Sequence, residues 1–146
     1  MPPARFAEVS LDARLAKLVE QAERCAATPD AEAVHDLRVA IRRFSQALRI
    51  FKPLVDAKAA KQMRRVLRRV MDAAAAVRDL DVGRQRLIEE GLSPEHAVLE
   101  RMGLERRRGE MALRGWLLLM QSKEPETAWR PCFEARTAKG AGAREA

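Results

Sequence analysis

The stretch "AVHDLRVAIRRFSQALRIF" (residues 33–51) decides the fold class of this chain. Its apolar residues recur at steps of three and four, which is the period of a helix with one buried face. Pro53 follows closely and ends the pattern, because proline disrupts a helix interior. The stretch therefore predicts an amphipathic helix, whose buried face holds Val34, Leu37, Ile41, Phe44, Leu48 and Phe51.

The same period appears in three further segments. We predict helices at about residues 11–27, 29–52, 56–80 and 94–120, joined by short connections. Residues 81–91 form either such a connection or a continuation of the third helix. Short connections favour antiparallel neighbours, so residues 1–120 are expected to form an all-α, antiparallel four-helix bundle. From residue 121 the period is lost, and residues 121–146 are expected to be an irregular or disordered tail.

The positive charge is concentrated in the middle of the chain. The formal net charge is +7, and the cations are 22 Arg and 6 Lys. Residues 1–34 carry 4 basic and 6 acidic side chains, residues 35–86 carry 14 and 5, and residues 87–146 carry 10 of each. A merely solubilising surface would be less uneven, so the middle segment is expected to contact a negatively charged partner.

These cations lie away from the apolar stripes of the second and third helices. At about 100° per residue, His35, Arg38, Arg42 and Arg49 fall within an arc of about 60°, whereas Arg43 lies toward the opposite flank. The corresponding face of the third helix carries Lys61, Arg64, Arg65, Arg68 and Arg69.

Acidic side chains are missing from both basic segments. None occurs between residues 38 and 52, or between residues 58 and 69. Like charges at helical spacing destabilise a helix by a few tenths of a kcal/mol per pair, and a bound polyanion would relieve that repulsion. Nucleic-acid binding through base stacking is disfavoured, because aromatic residues make up only 4% of the chain and Tyr is absent. A ligand with phosphates and no bases fits best, although phosphate contacts to duplex DNA stay open.

Two motifs give the sequence a family resemblance. "EAVHDLRVAIRRFSQALRIFKPL" (32–54), followed by a basic helix and "AVRDLDV" (76–82), resembles the CHAD family, the conserved-histidine α-helical domain. The resemblance implies binding of inorganic polyphosphate, association with polyphosphate granules and no catalysis. It also implies two similar four-helix halves around a basic cavity. This chain resembles the N-terminal half only, so we expect a homodimer that replaces the second half.

The motif residues can be assigned roles. His35, Arg38, Arg42 and Arg43 match the first motif, and Arg78, Asp79 and Asp81 match the second. For the second motif we predict a structural ion pair or helix-end bond. The role of His35, as a ligand to phosphate or as a structural residue, stays open. The predicted polyphosphate-binding set is His35, Arg38, Arg42, Arg43, Arg49, Lys61, Arg64, Arg65 and Arg68.

Two other functions compete with this hypothesis. One is a generic nucleic-acid or acidic-protein binding bundle. The other is a histidine phosphotransfer domain that uses His35 as nucleophile. Such domains usually have glycine close to the histidine, whereas Val39 stands at that place and would crowd the ring.

No enzyme, cofactor or metal site is expected from the sequence. It lacks a recognisable Gly-rich phosphate loop, and paired catalytic carboxylates are not recognisable either. Cys25 and Cys132 are expected to be reduced thiols. We expect a cytoplasmic protein without a membrane segment, located at polyphosphate granules if the resemblance holds.

Overall fold

The structure, a computed structural model, describes residues 2–134, and these are helical throughout apart from short connections. The all-α prediction is confirmed. The helices are α1 (Pro3–Ala27), α2 (Ala31–Ile50), α3 (Ala57–Glu89), α4 (Ala97–Ser122) and α5 (Pro125–Ala128), with a 3-10 turn at Lys52–Leu54.

The four long helices form a closed bundle. α1 packs on α2, α2 on α3, α3 on α4, and α4 returns to α1. The connections 28–30, 51–56 and 90–96 are short, so consecutive helices run antiparallel. The core is built from the apolar stripes that the sequence predicts, with Leu15, Phe44, Leu67, Val70 and Leu117 fully or almost fully buried.

α2 begins at Ala31, two residues later than predicted. The side chain of Asp30 accepts a hydrogen bond from the Ala33 N–H at 2.8 Å, which makes Asp30 the N-cap. Pro29 lies before the cap and is buried. α2 ends at Ile50, ahead of the 3-10 turn that contains Pro53.

α3 extends to Glu89, so of the two alternatives for the segment after residue 80 the helical continuation is the one observed. Residues 81–89 contain no proline, and the helix ends only where Gly91 adopts a φ of 102°. The Leu92 N–H donates to the Leu87 carbonyl at 2.9 Å, and the Gly91 N–H donates to Ile88 at 3.0 Å. This is a Schellman motif, in which glycine takes the left-handed position at no steric cost.

Two other predicted helix starts also need correction. α1 begins at Pro3 rather than near residue 11, which brings Phe6 and Ala7 into the helix. α4 begins at Ala97 rather than at residue 94, and His96 is its N-cap. The Val98 N–H donates to Nδ1 of His96 at 3.1 Å.

The expected irregular tail is wrong for residues 121–134. α4 continues to Ser122, α5 follows, and residues 130–134 are helical. Trp129 stacks on Phe44 with ring centroids 6.1 Å apart, and Phe133 packs on the same ring at 6.1 Å. The segment therefore belongs to the core. Residues 135–146 of the predicted tail lie outside the described residues.

Candidate functional site

Within residues 2–134, the predicted basic residues lack ion-pair partners. Within residues 2–134, the ion pairs use Arg5, Lys17, Arg24, Arg106 and Arg130 as cations. None of the nine predicted polyphosphate-binding residues takes part in one. The eight lysine and arginine side chains among them thus have no counterion within 4 Å in the described part of the protein.

Four of these arginines meet between α2 and α3. Arg42 and Arg49 come from α2, and Arg64 and Arg68 come from α3. They line a cavity of about 360 Å³, here called the α2/α3 groove, together with Ile41, Ser45, Leu67, Met71 and Asp72. Seven residues separate Arg42 from Arg49, so both lie on one face of α2, about 10 Å apart along the axis.

The α2/α3 groove is more positive at one end. Asp72 is the one carboxylate among its lining residues. Asp72 follows Arg64 by two turns of α3, about 12 Å along the axis. Because α2 and α3 are antiparallel, Arg49 lies toward the Arg64 end. Arg49, Arg64 and Arg68 therefore lie toward the end of the groove away from Asp72.

A second, shallower depression continues the basic surface along α3. Lys61 and Arg65 line it with Arg64 and Arg68, and its volume is about 280 Å³. Arg64 and Arg68 contribute to both cavities. The sequence-predicted residues of α3 thus form one continuous basic surface beside the groove.

His35 and Arg43 are not among the residues that line the α2/α3 groove. They line a cavity of about 690 Å³ between α1 and α2, here called the α1/α2 cleft. His35 shares a face of α2 with Arg42 and Arg49, as the helical arc predicts, but it lies at the edge of the α1/α2 cleft and lines that cleft together with Arg43. The other lining residues are Ser10, Ala13, Arg14, Lys17, Gln21, Asp36, Val39 and Ala40.

Arg14 and Lys17 are cleft residues that the sequence analysis did not select. The spacing of Ser10, Arg14, Lys17 and Gln21 by three or four residues places them on one face of α1, beside its buried leucines. This spacing is the signal that could have found them. Their charge was overlooked because residues 1–34 are net acidic.

The carboxylate of Asp36 in the α1/α2 cleft already has a partner. Arg24 Nη1 donates to Asp36 Oδ2 at 2.7 Å, and this bond raises the pKa of the Arg24 guanidinium. Lys17 contacts Glu20 at 3.7 Å, but both side chains are largely exposed, so this pair is weak. Arg14, Arg43 and His35 have no ion-pair partner within residues 2–134. The cleft therefore suits an anion.

Arg38 occupies an intermediate position. It is half-buried and lines neither the α2/α3 groove nor the α1/α2 cleft. Its Nε is buried and has no hydrogen-bond partner within the described residues. The predicted role of Arg38 in ligand binding stays a prediction.

The second motif forms an ion pair with a partner that was not predicted. Asp81 accepts from Arg106 Nε of α4 at 2.5 Å and from Arg106 Nη2 at 3.2 Å. Neither Arg78 nor Asp79 forms an ion pair within residues 2–134, so among the three residues for which a structural role is predicted only Asp81 does so there. The physical reason is that α3 continues past Asp81, which turns this carboxylate toward α4.

The thiols offer no activated nucleophile among the described residues. Burial raises the pKa of Cys25 to about 11, so its thiol is neutral near pH 7. Burial also raises the pKa of Cys132. Residues 2–134 contain no group of three metal-ligating side chains, and none of their helices is long and apolar enough to cross a membrane.

Comparison with protein families gives a direct result. The family model of the CHAD domain matches residues 9–143, which is most of the chain. The chain belongs to the CHAD domain family. The match includes α4 and residues 9–27 of α1, which lie outside the two sequence motifs. No curated protein and no solved structure matches this CHAD domain. Its expected correspondence to the N-terminal half only stays a prediction.

Proposed function

We propose that this CHAD domain binds inorganic polyphosphate through the basic surface of α2 and α3, without catalysing a reaction. The observation that carries the proposal is the α2/α3 groove, where four arginines from two helices line one cavity without ion-pair partners in the described chain. Family membership adds to this support.

The chemistry of arginine favours phosphate as the ligand. The guanidinium is planar and permanently charged, and it donates two parallel hydrogen bonds to phosphate oxygens. Polyphosphate offers such oxygens on every unit, so it can engage the groove and the α3 depression together. Each contact displaces counterions, and affinity is expected to fall steeply as salt is raised.

His35 makes a smaller contribution under this proposal. It lies in the α1/α2 cleft rather than among the groove arginines. His35→Ala should weaken polyphosphate binding only slightly. Histidine phosphotransfer, the competing function, would instead depend on His35 entirely. Val39 lines the same cleft and would crowd the imidazole ring.

Charge-matched variants test the proposal. One variant combines Arg49→Gln, Arg64→Gln and Arg68→Gln, and the other combines Arg101→Gln, Arg107→Gln and Arg108→Gln on exposed positions of α4. Both lose three charges. The affinity of each variant is measured by the anisotropy of labelled long-chain polyphosphate at about 0.15 M salt. Dissolved ions then screen charges that are farther apart than about 8 Å, so the two variants should differ in affinity.

The expected results differ strongly between the two variants. The groove variant should lose on the order of 100-fold in affinity, because it lacks three charge-assisted contacts. The α4 variant should stay within about threefold of the natural sequence. Equal losses would mean that net charge alone drives binding, and the groove assignment would then be wrong. Location at polyphosphate granules belongs to the same proposal, and a fluorescent fusion carrying the groove variant should leave the granules.

A further inference from the structure

The α1/α2 cleft continues into a second groove of different chemistry. Ser10, Arg14 and Arg43 line the cleft and also line a neighbouring cavity of about 340 Å³. That cavity is completed by Phe6, Gln46, Ala47, Ile50 and Phe51, and it is here called the aromatic groove. The two cavities form one path between α1 and α2, cationic at one end and apolar at the other.

The apolar end of this path presents large apolar side chains that are exposed, although side chains of this kind are usually buried. Phe6 is 57% exposed and Ile50 is 70% exposed. The ring of Phe6 packs edge-to-face on Phe51, with centroids 6.1 Å apart and an interplanar angle of 67°. An exposed aromatic ring held by a second ring offers a flat surface for a planar group.

The cationic end contains a largely buried polar side chain. Gln21 is 6% exposed, and its Oε1 accepts from Arg24 at 3.3 Å. The same side chain lines the cleft. Arg14 and Arg43 add charge without ion-pair partners in residues 2–134. A ligand with several anionic acceptor oxygens would satisfy these groups.

Polar groups separate the two ends. Ser10 and Gln46 lie between the cationic residues and the aromatic patch. Arg43 and Ile50 are seven residues apart on α2, which corresponds to about 10 Å along its axis. The order along the path is therefore cations, then hydrogen-bonding side chains, then an aromatic surface.

We propose that the α1/α2 cleft and the aromatic groove together bind a nucleoside polyphosphate. The phosphates lie against Arg14, Lys17 and Arg43, the sugar hydroxyls bond to Ser10 and Gln46, and the base stacks on Phe6. A long acyl chain fits less well, because the apolar part is short and ends at Phe6, Ile50 and Phe51. This site is separate from the α2/α3 groove and needs no polyphosphate binding there.

Calorimetric titration with ATP and with inorganic tripolyphosphate tests the inference. Tripolyphosphate has the same number of phosphates and no nucleoside. ATP should bind about tenfold more tightly, since base stacking on an aromatic side chain adds that much or more. Arg14→Gln should weaken both ligands. Phe6→Leu should remove the preference for ATP and leave tripolyphosphate binding unchanged.

A matched variant controls for changes in the fold. Val9→Ala shortens another exposed apolar residue of α1 that lines neither cavity, and it should bind ATP like the natural sequence. Circular dichroism melts of the Phe6→Leu and Val9→Ala variants should agree. Equal affinities for ATP and tripolyphosphate would overturn the inference, as would an unchanged ATP affinity in the folded Phe6→Leu variant.

Failure of this inference can be distinguished from failure of the proposed polyphosphate binding. Equal affinities of the natural sequence for ATP and tripolyphosphate, together with groove-dependent polyphosphate binding, would reject this site alone. A Phe6-dependent ATP preference without polyphosphate binding would support this site and reject the proposed function.

Discussion

Arg106 connects three parts of the bundle with one side chain. Its guanidinium bonds to Asp81 of α3 at 2.5 Å, to Glu110 of α4, and to the Pro29 carbonyl before α2 at 3.0 Å. Only about a fifth of the side chain is exposed. The hydrogen bond to Asp81 raises the pKa of Arg106, so its charge persists at every pH at which the bundle would be studied.

Replacing Arg106 should destabilise the bundle. Arg106→Met keeps the aliphatic part and removes the hydrogen bonds, which leaves Asp81 partly buried without its partner. We expect a loss of about 2 kcal/mol in the free energy of unfolding, measured by urea titration. Arg107→Met, at an exposed position next to it, should change stability by less than about 0.5 kcal/mol. Equal stabilities of the two variants would contradict this role.

The residue-level site was only partly predictable from sequence. The charge pattern indicated the arginines of α2 and α3, because helical period alone places them away from the core. The period does not say which neighbouring helix a side chain faces, so His35 and Arg43 were not joined to Arg14 and Lys17. Arg106 was missed because its partner Asp81 lies 25 residues away on another helix.

At the scale of elements, periodicity located the four long helices but not all their ends. α3 extends beyond its apolar stripe, whose last fully buried member is Val77. Beyond Val77 the hydrophobic period no longer indicates a helix. α5 and residues 130–134 are too short to show a period, although Trp129 and Phe133 complete the core. Their burial depends on Phe44, a contact that the sequence does not reveal.

The glycines of α4 give a prediction about helix packing. A Cβ on Gly109 would lie 3.0 Å from Cγ2 of Val77 on α3, whereas a Cβ on Gly115 would meet nothing within 4 Å. Gly115→Ala should stabilise the protein by about 1 kcal/mol, because alanine favours the helix. Gly109→Ala should destabilise it, because the crossing of α3 and α4 must open. Thermal unfolding measures both, and similar melting temperatures would contradict the close approach.

At the scale of the whole molecule, the bundle separates its charge from an apolar surface. Basic residues of α2 and α3 line the α2/α3 groove and the depression along α3. α4 presents three exposed apolar residues at intervals of seven, namely Leu104, Met111 and Leu118, with exposures of 52%, 75% and 61%. Seven residues are close to two helical turns, so these side chains share one face.

The expected homodimer stays a prediction, and this face of α4 is where we place its contact. Met111→Glu would introduce a charge at the centre of the face and should give a monomer, whereas Met111→Leu should not. Light scattering after size exclusion, over a series of concentrations, measures the mass. A single-chain mass for the natural sequence throughout the series would reject the dimer.

The central claim is that the α2/α3 surface recognises closely spaced phosphates rather than any polyanion. Anisotropy of labelled long-chain polyphosphate, with duplex DNA of matched total charge as competitor at about 0.15 M salt, tests it most directly. The account predicts sub-micromolar binding and poor competition by DNA. Competition by DNA at equal charge concentration would contradict it and would assign the basic surface to general polyanion binding.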